Sequence, residues 1–257
     1  MAGKTDANKK AAPQEKKGGF ASVEGYARAV GSIIPFSQRN SWIEGYFRPE
    51  GAFEAEKKNA SFGNTAVNAF LLGLITDVAL AFFFLLILLV GALASGRLPI
   101  ESIVVFALIL AAVPFFTVLS AFIGSLVYFI IAKLLGGKGG FMEQTLGLVL
   151  VQGGVTVAML PLQVLYYAFS VVPCIGQIIS MLIALVMLPF GLYFIYSEYR
   201  MIKAVHSLSS GRAAAVIIIP ILVVMVLMVI AIVIIGVASI AALGAMSAAS
   251  SVPAAPY

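Results

Sequence analysis

Residues 67–94 read VNAFLLGLITDVALAFFFLLILLVGALA, and within them only Asp77 is charged. A helix needs ~20 apolar residues to cross ~30 Å of hydrocarbon, so this run is long enough to span a bilayer. Four more apolar segments follow, over 100–135, 144–169, 175–196 and 213–245. Prolines 114, 161, 189 and 220 interrupt these four, which membrane helices tolerate when they pack on one another. Splitting 100–135 into two spans would need more than ~40 residues and a turn, so it is read as one tilted helix. Composition agrees. The 257-residue chain is 61% hydrophobic and 11% charged, with a mean hydropathy of +1.07. A soluble domain is roughly 45–50% apolar and about 25% charged, and cannot hide this much apolar surface. The expected fold is an all-α membrane protein: five transmembrane helices with an amphipathic cytoplasmic region before them.

Charge sets the orientation. Ten of the sixteen Lys and Arg precede residue 59; with Lys133, Lys138, Arg200, Lys203 and Arg212 they fall on one side of a five-span chain, against Arg97 on the other. Lys and Arg accumulate on the cytoplasmic face, so the N-terminus is expected inside and the C-terminus outside. In a prokaryote this is the cell membrane; in a eukaryote, the ER or Golgi.

Residues 1–19 are Lys, Ala, Gly and polar residues that cannot offset the entropy of ordering, and are read as a flexible basic tail. No apolar run follows within the first thirty residues, so it is not a signal peptide. Over 20–58, Val23, Tyr26, Ala27, Val30 and Ile34 recur at helical spacing, and Glu24 and Arg28 form an i, i+4 pair. Trp42, Ile43, Tyr46 and Phe47 follow, and Pro49 suits the first position of a short helix over 49–58. Two placements are open: helices on the membrane interface, with Trp42 in the headgroup layer, or a cap packed on the spans. The spans occupy 59–245, and 246–257 form an uncharged outer tail.

Two cytoplasmic loops carry recognisable patterns. One is Lys133-Leu134-Leu135-Gly136-Gly137-Lys138-Gly139-Gly140-Phe141-Met142-Glu143-Gln144-Thr145; the other is Ala204-Val205-His206-Ser207-Leu208-Ser209 followed by Gly211-Arg212-Ala213. Phe47-Arg48-Pro49 and Phe53 precede the first span. These features, with five spans and an inside N-terminus, resemble the Ypt-interacting-protein (Yip) domain family over about residues 47–243. The resemblance implies a membrane protein without catalytic activity or cofactor, associated in eukaryotes with Rab-type GTPases, vesicle traffic and membrane shaping. The chain lacks an Asp-Leu-Tyr-Gly-Pro segment before the first span, which argues against a Rab-type GTPase partner, while its Ala/Gly-rich composition and short tail suggest a prokaryotic membrane.

Asp77 lies ~15 Å into the first helix, where a carboxylate costs ~2.5–3.5 kcal/mol on insertion scales and should find a partner. The candidate intramembrane polar site is Asp77 with Gln152 and Thr156. It either pins helices together, the preferred reading, or carries protons or cations in a small transporter or channel. Gly153-Gly154 beside Gln152 suit close helix approach, with a broken, ion-binding span as the rival. The candidate cytoplasmic contact surface is Trp42, Phe53, Lys133, Lys138, Glu143, Glu198 and Arg200, with ion pairs from Glu198 to Lys133 or Lys138. Gly136 to Gly140 lack the Gly-x4-Gly-Lys frame of a phosphate loop and are read as a helix end and turn. His206 is expected in a solvated loop, and Cys174 as an inert residue of the outer face.

No set of residues resembles a catalytic triad, a metal site or a nucleotide fingerprint. The expected function is therefore a non-enzymatic scaffold or accessory subunit. Its partners are the bilayer, including anionic headgroups, and other membrane proteins or copies of itself, not nucleic acid. Small residues Ala238, Ala241, Ala242 and Ala245 repeat at a contact spacing in the last span.

Overall fold

The computed structural model describes residues 20–34, 36–97 and 100–250, with side chains except those of 20–22, 237–238 and 240–250. The tail 1–19, residues 251–257 and the side chains of the Ala238–Ala245 stripe lie outside the described residues. Among the described residues all regular structure is helical: α1 (Phe20–Ser32), α2 (Arg39–Phe47), α3 (Pro49–Glu56), a 3-10 turn (Lys57–Asn59), α4 (Phe62–Ser95), α5 (Ile100–Leu134), α6 (Phe141–Ser170), α7 (Ile175–His206) and α8 (Ser210–Ser250). Helices α4 to α8 are each long and apolar enough to cross a membrane, in agreement with the five-span reading.

Helix ends follow local chemistry. Ser61 caps α4, its Oγ accepting from the Asn64 backbone N–H at 3.3 Å. Gly96 closes α4 in the left-handed conformation, at φ 66°. Pro49 opens α3, where its missing N–H costs no helical bond. Pro114, Pro161, Pro189 and Pro220 lie inside continuous helices, so none of them divides a span. The helices also run past the apolar segments. Helix α7 continues ten residues beyond Tyr196, and α5 is about 50 Å long at 1.5 Å per residue.

Helix α6 is the central post. Of its span-forming stretch 44% is buried inside the protein, against 6% in each of the other four. The core lies towards one end of the molecule, where α1 to α3 wrap α6 and α7. Ala27, Trp42, Ile43 and Tyr46 interlock there with Leu150, Val157 and Met201. A second cluster, around Ala132, Leu148, Ile202, Val216 and Ile217, ties α8 to α5, α6 and α7. Away from this end the spans present apolar side chains outward. From Ile221 to Gly236 every residue of α8 is exposed.

Of the two placements open for residues 20–58, α2 takes the second. Trp42 is 0% exposed, and Ile43, Tyr46, Phe47 and Phe53 are buried with it. Trp42 is thus enclosed by protein instead of lying in the headgroup layer. With Phe53 it faces inward and offers no contact surface. The seat for α2 is made by glycine. A Cβ at Gly153 would sit 2.6 Å from the Trp42 ring, and one at Gly154 would overlap the Trp42 carbonyl. In return, a Cβ at Gly45 would meet the Leu150 backbone at 2.8 Å. Close approach is therefore the use of Gly153-Gly154, and α6 is unbroken there.

Candidate functional site

The two patterned loops meet at the core end of the bundle. Ser207, at φ 52°, ends α7 in a left-handed turn, and Gly136, at φ 87°, ends the turn after α5. Gly137 and Gly139 then lie against α7: a Cβ at Gly137 would be 2.7 Å from His206 Nδ1, and one at Gly139 2.5 Å from Val205. The Lys138 backbone N–H donates to the His206 carbonyl at 3.2 Å. These glycines are required by close backbone approach, not by a ligand. Glu143 Oε2 accepts from the Gly140 N–H at 2.7 Å and so fastens the start of α6.

His206 is fully buried, which corrects the expectation of a solvated loop histidine. Its Nε2 lies 2.6 Å from Gln144 Oε1. Gln144 Nε2 donates to the Ser125 carbonyl at 2.7 Å and to Ser125 Oγ at 3.0 Å. The Gln144 oxygen is thereby left to accept, so His206 Nε2 carries the proton. Thr145 Oγ1 donates to Ser125 Oγ at 2.8 Å, completing a network across α5, α6 and α7. Each such bond contributes about 1 kcal/mol net, but a partner left buried and unpaired costs about 1–3 kcal/mol. The network therefore fixes helix register more than it adds stability. Sequence reasoning missed it because histidine beside Ser and Gly looks like loop. The available signal was the glycine spacing opposite it.

A second layer joins α2 and α3 to the spans. Trp42 Nε1 donates to Asn68 Oδ1 at 3.0 Å, Tyr46 Oη to the Phe190 carbonyl at 2.8 Å, and Ser197 Oγ to the Tyr46 carbonyl at 2.7 Å. Burial pushes the Tyr46 hydroxyl well above the usual phenol range, keeping it a neutral donor. Arg200 grips Glu50 through Nε at 3.2 Å and Nη2 at 2.9 Å. That hydrogen-bonded guanidinium holds the Glu50 carboxyl below the usual carboxylate range. Lys133 Nζ reaches the Lys138 carbonyl at 3.4 Å and lies over the Phe129 ring. The expected pairing of Glu198 is not formed: among the described residues neither Lys133 nor Lys138 makes an ion pair with it.

The intramembrane candidates are not brought together. Gln152 is exposed and Thr156 half-buried, and neither bonds to Asp77. Asp77 Oδ1 is buried with no hydrogen-bond partner among the described residues. Two recesses flank the first turns of α4. One, of about 520 Å³, is polar and opens between the 3-10 turn and α6. The other, of about 550 Å³, is an apolar groove between α4 and α5.

Residues 46–233 match the model of the Yip1 domain, which takes in both patterned loops and most of the five long helices. No curated protein and no solved structure matches the chain.

Proposed function

We propose that this chain, which belongs to the Yip1 domain family, is a non-enzymatic scaffold or accessory subunit acting through contacts between helices in the membrane. One observation carries the reading: among the described residues α8 is anchored by its first turns, and from Ile221 to Gly236 all its faces are exposed. The opposite end is a locked core of buried aromatics, glycine crossings and hydrogen bonds. A rigid base with splayed apolar helices suits the capture of other spans, a second copy included. Photo-crosslinkers at Leu222, Met225 and Val229 in native membranes should yield discrete protein adducts. Lipid adducts alone would overturn the reading.

The unpartnered Asp77 oxygen supports a second reading, a small transporter or channel. Cation- or proton-coupled flux in proteoliposomes, lost in Asp77→Asn at unchanged thermal stability, would put transport in place of the scaffold.

The charge bias supports an inside N-terminus and an outside C-terminus, with the core end facing the cytoplasm. The exposed Tyr196 on α7 suits the headgroup layer at that end. The exposed Cys174 then lies on the outer side and is the natural probe. A membrane-impermeant maleimide should label Cys174 in intact cells, and Ser209→Cys in a Cys174→Ser background only after permeabilisation. The reverse pattern would invert the topology.

A further inference from the structure

The polar recess beside α4 combines charge and position in a way the scaffold reading does not use. Its wall carries Ser41, Glu56, Lys58, Asn59 and Asn64, and Leu146 and Leu150 of α6 also line it. Ser41 Oγ donates to Glu56 Oε1 at 2.7 Å, and Asn59 Nδ2 to Glu56 Oε2 at 2.8 Å. The carboxylate is thus held in place from both sides, yet among the described residues no cation pairs with it. The neighbouring Lys57 instead pairs with Glu54 at 2.5 Å. Lys58 also lines the recess and, among the described residues, makes no ion pair. One uncompensated carboxylate and one uncompensated ammonium, set among amides and hydroxyls, complement a ligand bearing a cation and an anion a few bonds apart.

Position narrows the ligand to a lipid. Asn64 and Asn68 of α4 line the polar recess, while Val67 and Leu71, three residues further along the same rows, line the apolar groove. That groove runs between α4 and α5 past Phe70, Phe115 and Phe122 and is almost wholly apolar. A headgroup site and an acyl-chain groove therefore share two turns of one helix, where α4 enters its apolar stretch.

We propose that this recess binds a phospholipid with a phosphoethanolamine headgroup. The primary ammonium donates to Glu56, the phosphate faces Lys58 and Asn59, and a chain lies in the α4–α5 groove. A quaternary headgroup has no N–H to give Glu56, and a phosphoglycerol headgroup brings no cation to it. Primary-ammonium lipid is therefore preferred over both.

The test uses the full chain in mild detergent, exposed to equimolar phosphatidylethanolamine, phosphatidylcholine and phosphatidylglycerol with identical acyl chains. Retained lipid is read by native mass spectrometry. Phosphatidylethanolamine should be retained about tenfold over the other two, the factor expected for one charge-assisted hydrogen bond. Glu56→Gln should erase the preference over phosphatidylcholine, and Lys58→Gln should lower retention of phosphatidylethanolamine, with Trp42 emission unchanged in both. If Glu56→Gln does not fold, stepwise N-methylation of the lipid reads the same bond in the unaltered chain, and retention should fall most at the third methyl group, which removes the last N–H. Equal retention of the three lipids, or a preference for phosphatidylglycerol, would overturn the proposal. So would binding of water-soluble phosphoethanolamine with no lipid retained, which would assign the recess to a free metabolite.

Discussion

Trp42→Ala is expected to release α2 from the bundle and expose residues 20–58 to protease in membranes where the unaltered chain resists. Trp42 is fully enclosed between α2, α4 and α6. Removing a buried tryptophan side chain costs about 3–5 kcal/mol, because the surroundings close only partly over the cavity. The loss is increased by Asn68, whose side-chain oxygen would be left without the indole N–H. Asn68 is itself only 3% exposed, so water has little access to replace that donor. Trp42→Phe keeps most of the volume while removing the donor; its cost should be about 1–3 kcal/mol, and its protease resistance closer to that of the unaltered chain than that of Trp42→Ala is. Trp42 is also the only tryptophan. Its emission in the unaltered chain should be blue-shifted and insensitive to iodide. Protease patterns unchanged by Trp42→Ala would show that α2 is held elsewhere.

Gly154→Ala should displace the same helix by the opposite means, adding volume where none is free. The new methyl group would overlap the Trp42 carbonyl and Tyr46 Cβ. Both obstacles belong to backbone or to the first side-chain carbon, so no rotamer change relieves the clash. Overpacking of this kind costs typically about 1–3 kcal/mol and more where the backbone must move. The measurement is thermal unfolding of the purified protein together with Trp42 emission, which should shift to the red as water reaches the indole. Gly191→Ala is the matched control on α7, since a Cβ there meets nothing within 4 Å. In a helix that change should be neutral or stabilising by about 0.5–1 kcal/mol. A Gly154→Ala protein as stable as Gly191→Ala would refute the close crossing of α2 on α6.

The five spans and their order were legible because the bilayer imposes a local rule. Each crossing must be an apolar helix of a set length, and that rule is satisfied within each segment. Pro49 at the start of α3 and the Glu24–Arg28 pair, at 2.9 Å, were legible for the same reason: both depend on neighbours a few residues away. The prolines divide none of the spans, as the five-span reading requires. Packing with neighbouring helices holds a proline-containing span together, as at Pro114, where a Cβ on Gly73 would be 2.5 Å from the proline Cα.

What the sequence could not disclose depends on partners far along the chain. Gly153-Gly154 announced a close approach, but whether a span or an N-terminal helix would fill it rests on α2 folding back more than a hundred residues. The candidate polar site shows the same limit. Asp77, Gln152 and Thr156 share a plausible depth, yet helix rotation turns Gln152 outward and leaves Asp77 without it. His206 and Gln144 sit in unrelated local contexts, 62 residues apart, and become partners only when α6 and α7 pack in register. Hydropathy determines which residues enter the membrane, because transfer from water is a property of each segment alone. Rotation and register determine which polar groups meet, because they emerge from all the contacts between helices at once.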